Sequence, residues 1–308
     1  MIHFFNLIRW KNLLMIALTQ YLVKYALLEP FRESHSVITT LSDFNFFLLV
    51  LATLCIAAGG YVINDVYDVE TDAINKPNQR IINKLITEKT ATTLFMVLNI
   101  IGVGLGFYLS NGIGKSGFFA IFFVASAVLY IYSTSLKQIA IVGNIIVSIV
   151  VALSILLVGI YELVPAMNLN NKAVQTTFLY IIRDYAIFAF IINLVRELVK
   201  DLEDFDGDHQ TGIQTLPVLL GKVKTNKIVF IISLIPIVSI VYYVITYLFK
   251  QQLVVGYFLV LVVAPLIYGS IKLFNAEETQ HYKRISLVLK LTMFTGMLSL
   301  LLYNFILK

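Results

Sequence analysis

The sequence predicts an all-α polytopic membrane protein, a bundle of nine transmembrane helices forming one domain over residues 1–308. Three observations carry that expectation. Hydrophobic residues make up 59% of the chain and charged residues 13%, about half the charge of a soluble domain. The mean hydropathy is +0.86. The apolar residues also fall into nine runs, near 13–28, 44–63, 91–109, 118–132, 139–161, 177–195, 228–249, 254–274 and 285–306. Most approach the ~20 residues that a helix needs to cross a bilayer core. Backbone groups in lipid must satisfy one another within the segment, so helices are the form expected of these runs.

The first run follows Arg9 and Lys11 and is not followed by a small-residue cleavage site, so it reads as an uncleaved span. The second ends in an acidic stretch, Asn64-Asp65-Val66-Tyr67-Asp68-Val69-Glu70-Thr71-Asp72. The fourth is short and joins the fifth through a tight link, Tyr132-Ser133-Thr134-Ser135-Leu136-Lys137, with Gly143-Asn144 just beyond. The sixth leads into a second acidic stretch, Lys200-Asp201-Leu202-Glu203-Asp204-Phe205-Asp206-Gly207-Asp208. Pro236 and Pro265 fall inside the seventh and eighth runs and read as kinks that bundle packing tolerates.

The net charge is +5, but the basic residues stand singly between apolar spans and form no stripe for nucleic acid. They gather on one side. The N-terminal tail and the loops after runs two, four, six and eight hold most of the lysines and arginines, while the opposite loops hold only Arg32, Lys115, Lys172 and Lys250. By the positive-inside rule the basic side faces the cytoplasm. Cys55 is the only cysteine, so no intrachain disulfide forms, and the four histidines show no metal-ligand spacing.

The two acidic stretches are where chemistry is expected. Aspartates fall at 65, 68 and 72 in the first and at 201, 204 and 208 in the second. On a helix, steps of three and four stack carboxylates on one face. Asn64, Asp68 and Asp72 then share a line that Asp65 borders. Ten of the 18 acidic residues lie in or beside these stretches. So much negative charge against membrane-length apolar segments calls for cations. Magnesium suits such a site, because it takes hard oxygen ligands and keeps substrate phosphates in its shell. The expected metal ligands are Asn64, Asp65, Asp68, Asp72, Asp201, Asp204 and Asp208. Lys76 and Arg80 follow the first stretch, and Arg196 and Lys200 stand one turn apart beside the second, in positions suited to a phosphate. Arg196 and Lys200 also fit plain charge balance for the neighbouring acids. Lys137 is a lone cation on the same side as the acids. The ring of Tyr132 suits a cationic intermediate, though an interfacial tyrosine is the simpler reading. Asn12, an amide in the first span, is expected to bond another helix. The two stretches follow runs two and six, as a duplicated four-helix unit would place them, with a binding site at the repeat interface.

At these residues the chain resembles the UbiA family of intramembrane prenyltransferases, which have nine helices around a central cavity and two aspartate-rich motifs. Asn64, Asp65, Asp68 and Asp72 match the first motif, and Asp201, Asp204 and Asp208 match the second. Tyr132, Ser133, Leu136 and Lys137 match the Tyr-Ser-x-x-Leu-Lys element, and Arg9 and Asn12 the N-terminal Arg-x-x-Asn. The family commonly continues Lys-Pro-Asn-Arg-Pro after the first motif. Here Lys76-Pro77-Asn78 runs into Gln79-Arg80-Ile81. The resemblance implies Mg²⁺ held by both motifs and a prenyl diphosphate, geranylgeranyl diphosphate favoured, bound through Asn12, Asn64, Lys76, Arg80, Lys137, Arg196 and Lys200. It implies Asp68, Asp204, Lys137 and Tyr132 at the reacting centre, and a lipid-soluble acceptor. The second motif with Thr215-Leu216-Pro217 looks most like the ether-lipid type, whose acceptor is a glycerol phosphate. Prenylation of an aromatic quinone precursor stays open beside it, as does divalent-cation transport, which also suits intramembrane carboxylates.

Overall fold

A computed structural model of the chain describes residues 2–75, 77 and 80–307. Fifteen α-helices follow one another: α1 Ile2–Leu7, α2 Trp10–Leu22, α3 Asp43–Tyr67, α4 Val69–Asn75, α5 Glu88–Gly112, α6 Phe119–Thr134, α7 Val142–Glu162, α8 Lys172–Glu203, α9 Phe205–Thr211, α10 Leu216–Leu220, α11 Lys222–Tyr243, α12 Gln252–Phe258, α13 Ala264–Phe274, α14 Thr279–Leu298 and α15 Tyr303–Ile306. Two isolated β-bridges are the other regular pairings among the described residues. Large apolar side chains such as Ile100, Val223 and Leu253 point outward, exposed at 72%, 72% and 89%. That is unfavourable in water and ordinary against lipid.

Among the described residues, eight helices are long and apolar enough to cross a membrane, against the nine runs expected. The first run accounts for the difference. It is helical, α2 continuing as π winding over Val23–Leu28 and then a 3-10 turn at Glu29–Phe31, but Gln20, Lys24 and Glu29 lower its hydropathy. Lys24 lies inside the π turn. Its Nζ reaches 3.0 Å from Glu162 Oε1 at the end of α7, with both side chains essentially buried. It also donates to the Leu41 carbonyl at 2.9 Å, while the Thr40 and Leu41 amides donate to the other Glu162 oxygen at 3.0 Å. Removing one partner of such a pair strands a buried charge. Lys24→Met should therefore lower unfolding stability by about 3–5 kcal/mol, and Lys24→Met with Glu162→Gln should recover much of it. Denaturation in detergent checks this, and equal stability of single variant and parent would refute it.

Other boundaries also move. The eighth run crosses as two helices, α12 and α13, joined by a π turn at Leu259–Val263. That turn lies just before Pro265, where the missing amide would otherwise break the hydrogen-bond ladder. Pro236 lies inside α11, as expected. The sixth run extends to a 32-residue helix, α8, about 48 Å at 1.5 Å per residue. This exceeds the ~30 Å apolar core, so its last turns project past the lipid and carry Arg196, Glu197, Lys200 and Asp201. The same helix joins two cores. Phe178, Ile182 and Tyr185 pack with α3 and α7 residues, and Val195, Val199 and Leu202 pack with residues of α11 to α14.

Candidate active site

The expected single line of carboxylates is broken at the middle aspartate of each stretch. α3 ends at Tyr67 and α4 begins at Val69, with Asp68 between them at φ −100°, ψ 6°. α8 ends at Glu203 and α9 begins at Phe205, with Asp204 at φ −91°, ψ 8°. The i to i+4 hydrogen bonds bridge both breaks, from the Asp72 amide to the Asp68 carbonyl at 2.8 Å and from Asp208 to Asp204 at 3.2 Å. Each break lets a short helix fold over the mouth of the bundle, and the repeat seen in the sequence recurs as geometry.

The two short helices meet. The Asn75 amide nitrogen donates to the Asp204 carbonyl at 2.9 Å, and its oxygen accepts from the Gly207 amide at 2.9 Å. The hydroxyls of Thr71 and Thr211 share a hydrogen bond of 3.2 Å. A Cβ at Gly207 would overlap the Asn75 carboxamide, which explains the glycine inside the second stretch. Asn75→Ala and Gly207→Ala should each cut turnover about 10- to 100-fold by loosening groups that hold the acids in place. Unfolding temperature should stay near that of the parent. A Gly207→Ala protein with parental kcat would show that this tie does not position the site.

One cavity lies beneath. It is lined by Asn64, Asp68 and Asp72 of the first stretch and by Asp201, Asp204 and Asp208 of the second. Tyr132, Lys137, Asn12, Arg196 and Lys200 also line it, and its depth is apolar, with Ile56, Phe122, Leu129, Val147 and Leu157 on the wall. Arg80 and Asp65 are not among its lining residues. Asp65 instead pairs with Arg9 at 2.8 Å, and Lys76 lies outside the described residues. Burial opposes the Arg9 charge, but Asp65, with Tyr61 and Asp68, outweighs it and raises the guanidinium pKa, so Arg9 remains charged.

The link between α6 and α7 delivers Lys137. A 3-10 turn over Leu136–Gln138 is followed by a γ-turn at Ile141, φ 67°, ψ −36°, closed by the Val142 amide on the Ala140 carbonyl at 2.8 Å. This strained conformation reverses the chain, so Lys137 and Asn144 both reach the acids. Lys137 Nζ lies 2.5 Å from Asp68 Oδ1, while Asn64 donates to the other Asp68 oxygen. Asn144 Nδ2 donates to Asp201 at 2.9 Å. Ile139 forms a bridge with Gln214, tying the link to the segment after the second stretch. In that segment the Thr215 hydroxyl donates to Asp208 at 3.3 Å. Arg196 pairs with Glu197 at 2.7 Å, and Lys200 lies 3.9 Å from the same residue. Asn12 bonds another helix, its Oδ1 accepting from Lys290 at 2.6 Å.

Sequence reasoning passed over Asn75 and Lys290. Asn75 sits beside a chemistry-bearing stretch without a periodic signal of its own. Lys290 had one, a cation inside an apolar run.

A family model described as the UbiA prenyltransferase family matches residues 34–298. The chain belongs to the UbiA prenyltransferase family. A relative from Sulfolobus acidocaldarius, described as a digeranylgeranylglyceryl phosphate synthase, is 40% identical over 180 residues, 58% of this chain and 59% of that one. That match thus spans less than two thirds of the relative. A second protein of the same description, from Korarchaeum cryptofilum, is 29% identical over 87% of this chain and 88% of its own. The fold is shared with a UbiA homologue from Archaeoglobus fulgidus solved bound to GPP and Mg²⁺, at TM-score 0.56 and 16% identity over 97% of this chain and 99% of that one.

Proposed function

We propose that the chain transfers a prenyl group from a prenyl diphosphate, geranylgeranyl diphosphate favoured, to a glycerol-phosphate lipid. The observation that carries this reading is the convergence of two acidic stretches, 136 positions apart in sequence, over one cavity with an apolar depth. The acid end suits a diphosphate held through cations, and the apolar end suits an isoprenoid chain. The names of the two relatives favour the glycerol-phosphate acceptor.

The donor atoms fit a hard divalent cation. Carboxylates of both stretches face the cavity, and Asn64 Oδ1 is buried without a hydrogen-bond partner. Among the described residues no three acidic, histidine or cysteine side chains converge on one ion position. Magnesium suits that arrangement, since it binds one or two carboxylates and completes its shell with phosphate oxygens and water. Asn64, Asp68 and Asp72 on one side and Asp201, Asp204 and Asp208 on the other are the residues that would hold it. Bound there, Mg²⁺ would neutralise charge on the departing diphosphate.

The chain's own groups do the rest. Lys137 and Lys200 place positive charge where the bond from the allylic C1 to the diphosphate oxygen breaks. The ring of Tyr132 faces the carbon as it gains cationic character. The apolar wall excludes water, which would otherwise convert the cation to an alcohol. The acceptor hydroxyl forms the new C–O ether bond to C1, and its proton passes to an oxygen of the diphosphate or of a lining carboxylate. By the loop charges, this mouth faces the cytoplasm.

Purified protein is given labelled geranylgeranyl diphosphate and a panel of glycerol-phosphate and aromatic acceptors, with Mg²⁺ or with EDTA. Ether-linked product that disappears with EDTA is expected. An aromatic product would move the acceptor assignment, and cation flux into vesicles without any transfer would overturn the reading.

A further inference from the structure

A second cavity adjoins the first, and the two share a polar wall that includes Asn12, Tyr61, Asn193 and Arg196. Beyond this wall the second cavity is apolar, with Tyr185, Phe188, Phe258, Val262, Met297 and Leu300 among its lining residues. One cation stands in it. Lys290, eleven residues into α14, is about 16 Å along the helix from its start at 1.5 Å per residue. It is half-buried and lines the second cavity only.

Lys290 has no carboxylate within 4.0 Å among the described residues; its hydrogen bond is to the neutral Asn12. The charges it feels are those of Arg196, Lys11 and Lys200, all of its own sign. Arg196 adds a second unmet demand, because its Nε is buried without a hydrogen-bond partner. Like charges gathered in a partly buried site are costly unless an anion joins them. Of the acids of the first cavity, Asp68 is engaged by Lys137, Asp201 by Asn144 and Glu197 by Arg196. An apolar pocket with Lys290 unneutralised by any carboxylate among the described residues, and with a free guanidinium N–H of Arg196 at its polar wall, describes the receptor for a phosphate monoester carried on an apolar chain.

We propose that Lys290, held by Asn12 and joined by Arg196, binds the phosphate of the acceptor, whose isoprenoid chain lies in the second cavity. This rests on the glycerol-phosphate reading above. It separates two anions of similar chemistry. The diphosphate sits under the acidic stretches, and the monophosphate sits across the shared wall. The acceptor hydroxyl then faces the first cavity.

The test compares parent, Lys290→Met and Lys290→Arg, each with geranylgeranylglyceryl phosphate and with geranylgeranylglycerol, which lacks the phosphate. The parent should prefer the phosphorylated acceptor by about tenfold or more in kcat/KM, the worth of a charged hydrogen bond. In Lys290→Met that preference should collapse toward one through a raised acceptor KM, with donor KM changed less than about twofold. Lys290→Arg should restore part of it. A binding arm needs no turnover. In EDTA and without donor, the phosphorylated acceptor should raise the unfolding temperature of the parent and not of Lys290→Met. An unchanged preference in Lys290→Met, or a donor KM that rises with the acceptor KM, overturns the assignment. A parent that transfers to neither glycerol acceptor overturns the function reading instead, and shows it before any variant is made.

Discussion

Asp68→Asn and Asp204→Asn each lower turnover by about 10³-fold, the scale seen when a preorganised charge is removed from a reacting centre. The two residues hold equivalent places. Each is the non-helical residue between a long helix and a short one, and each lines the cavity. The amide keeps the shape and removes the charge, so Asn64 retains a partner at position 68. Folding should be unaffected, because the helix break depends on backbone conformation. Steady-state kinetics at saturating donor, with unfolding temperature as control, decides the matter. Either variant with more than about a tenth of parental kcat would remove that residue from the reacting centre.

Lys137→Met is the second large effect. We expect donor KM to rise about tenfold and kcat to fall about 100-fold, since the ammonium offsets charge that grows as the diphosphate leaves. The structure shows it against Asp68 at 2.5 Å, so simple charge balance is the competing account. The two accounts differ in what a double change does. If Lys137 only balances Asp68, then Lys137→Met with Asp68→Asn is no worse than Asp68→Asn alone. If Lys137 contacts the diphosphate, donor KM rises further in the double variant. Donor affinity measured by equilibrium binding separates these without relying on the slow chemistry.

Much of this was legible in the residues. Apolar runs of membrane length dictate helices because lipid offers the backbone no partners. The repeated aspartate spacing marks both acidic stretches because an isolated charge seldom survives beside such runs. The run from Tyr132 to Lys137 was legible as a cluster, though only its γ-turn explains how one short link delivers both Lys137 and Asn144. Boundaries were less legible. The sixth run was expected to stop near 195, because hydropathy ends there, whereas α8 continues to Glu203. Helices extend past the lipid wherever packing supports them, and Leu198, Val199 and Leu202 are buried against the C-terminal half.

The sequence by itself determined the class of the molecule and the two acidic stretches, because these depend on composition and local spacing. Only the tertiary structure decided that both helices break at Asp68 and Asp204, that Asn75 ties the resulting short helices together, and that Lys24 meets Glu162 while Lys290 meets Asn12. Those pairings join residues 129, 138 and 278 positions apart. Contacts at such separations follow from how helices pack, which local periodicity does not encode.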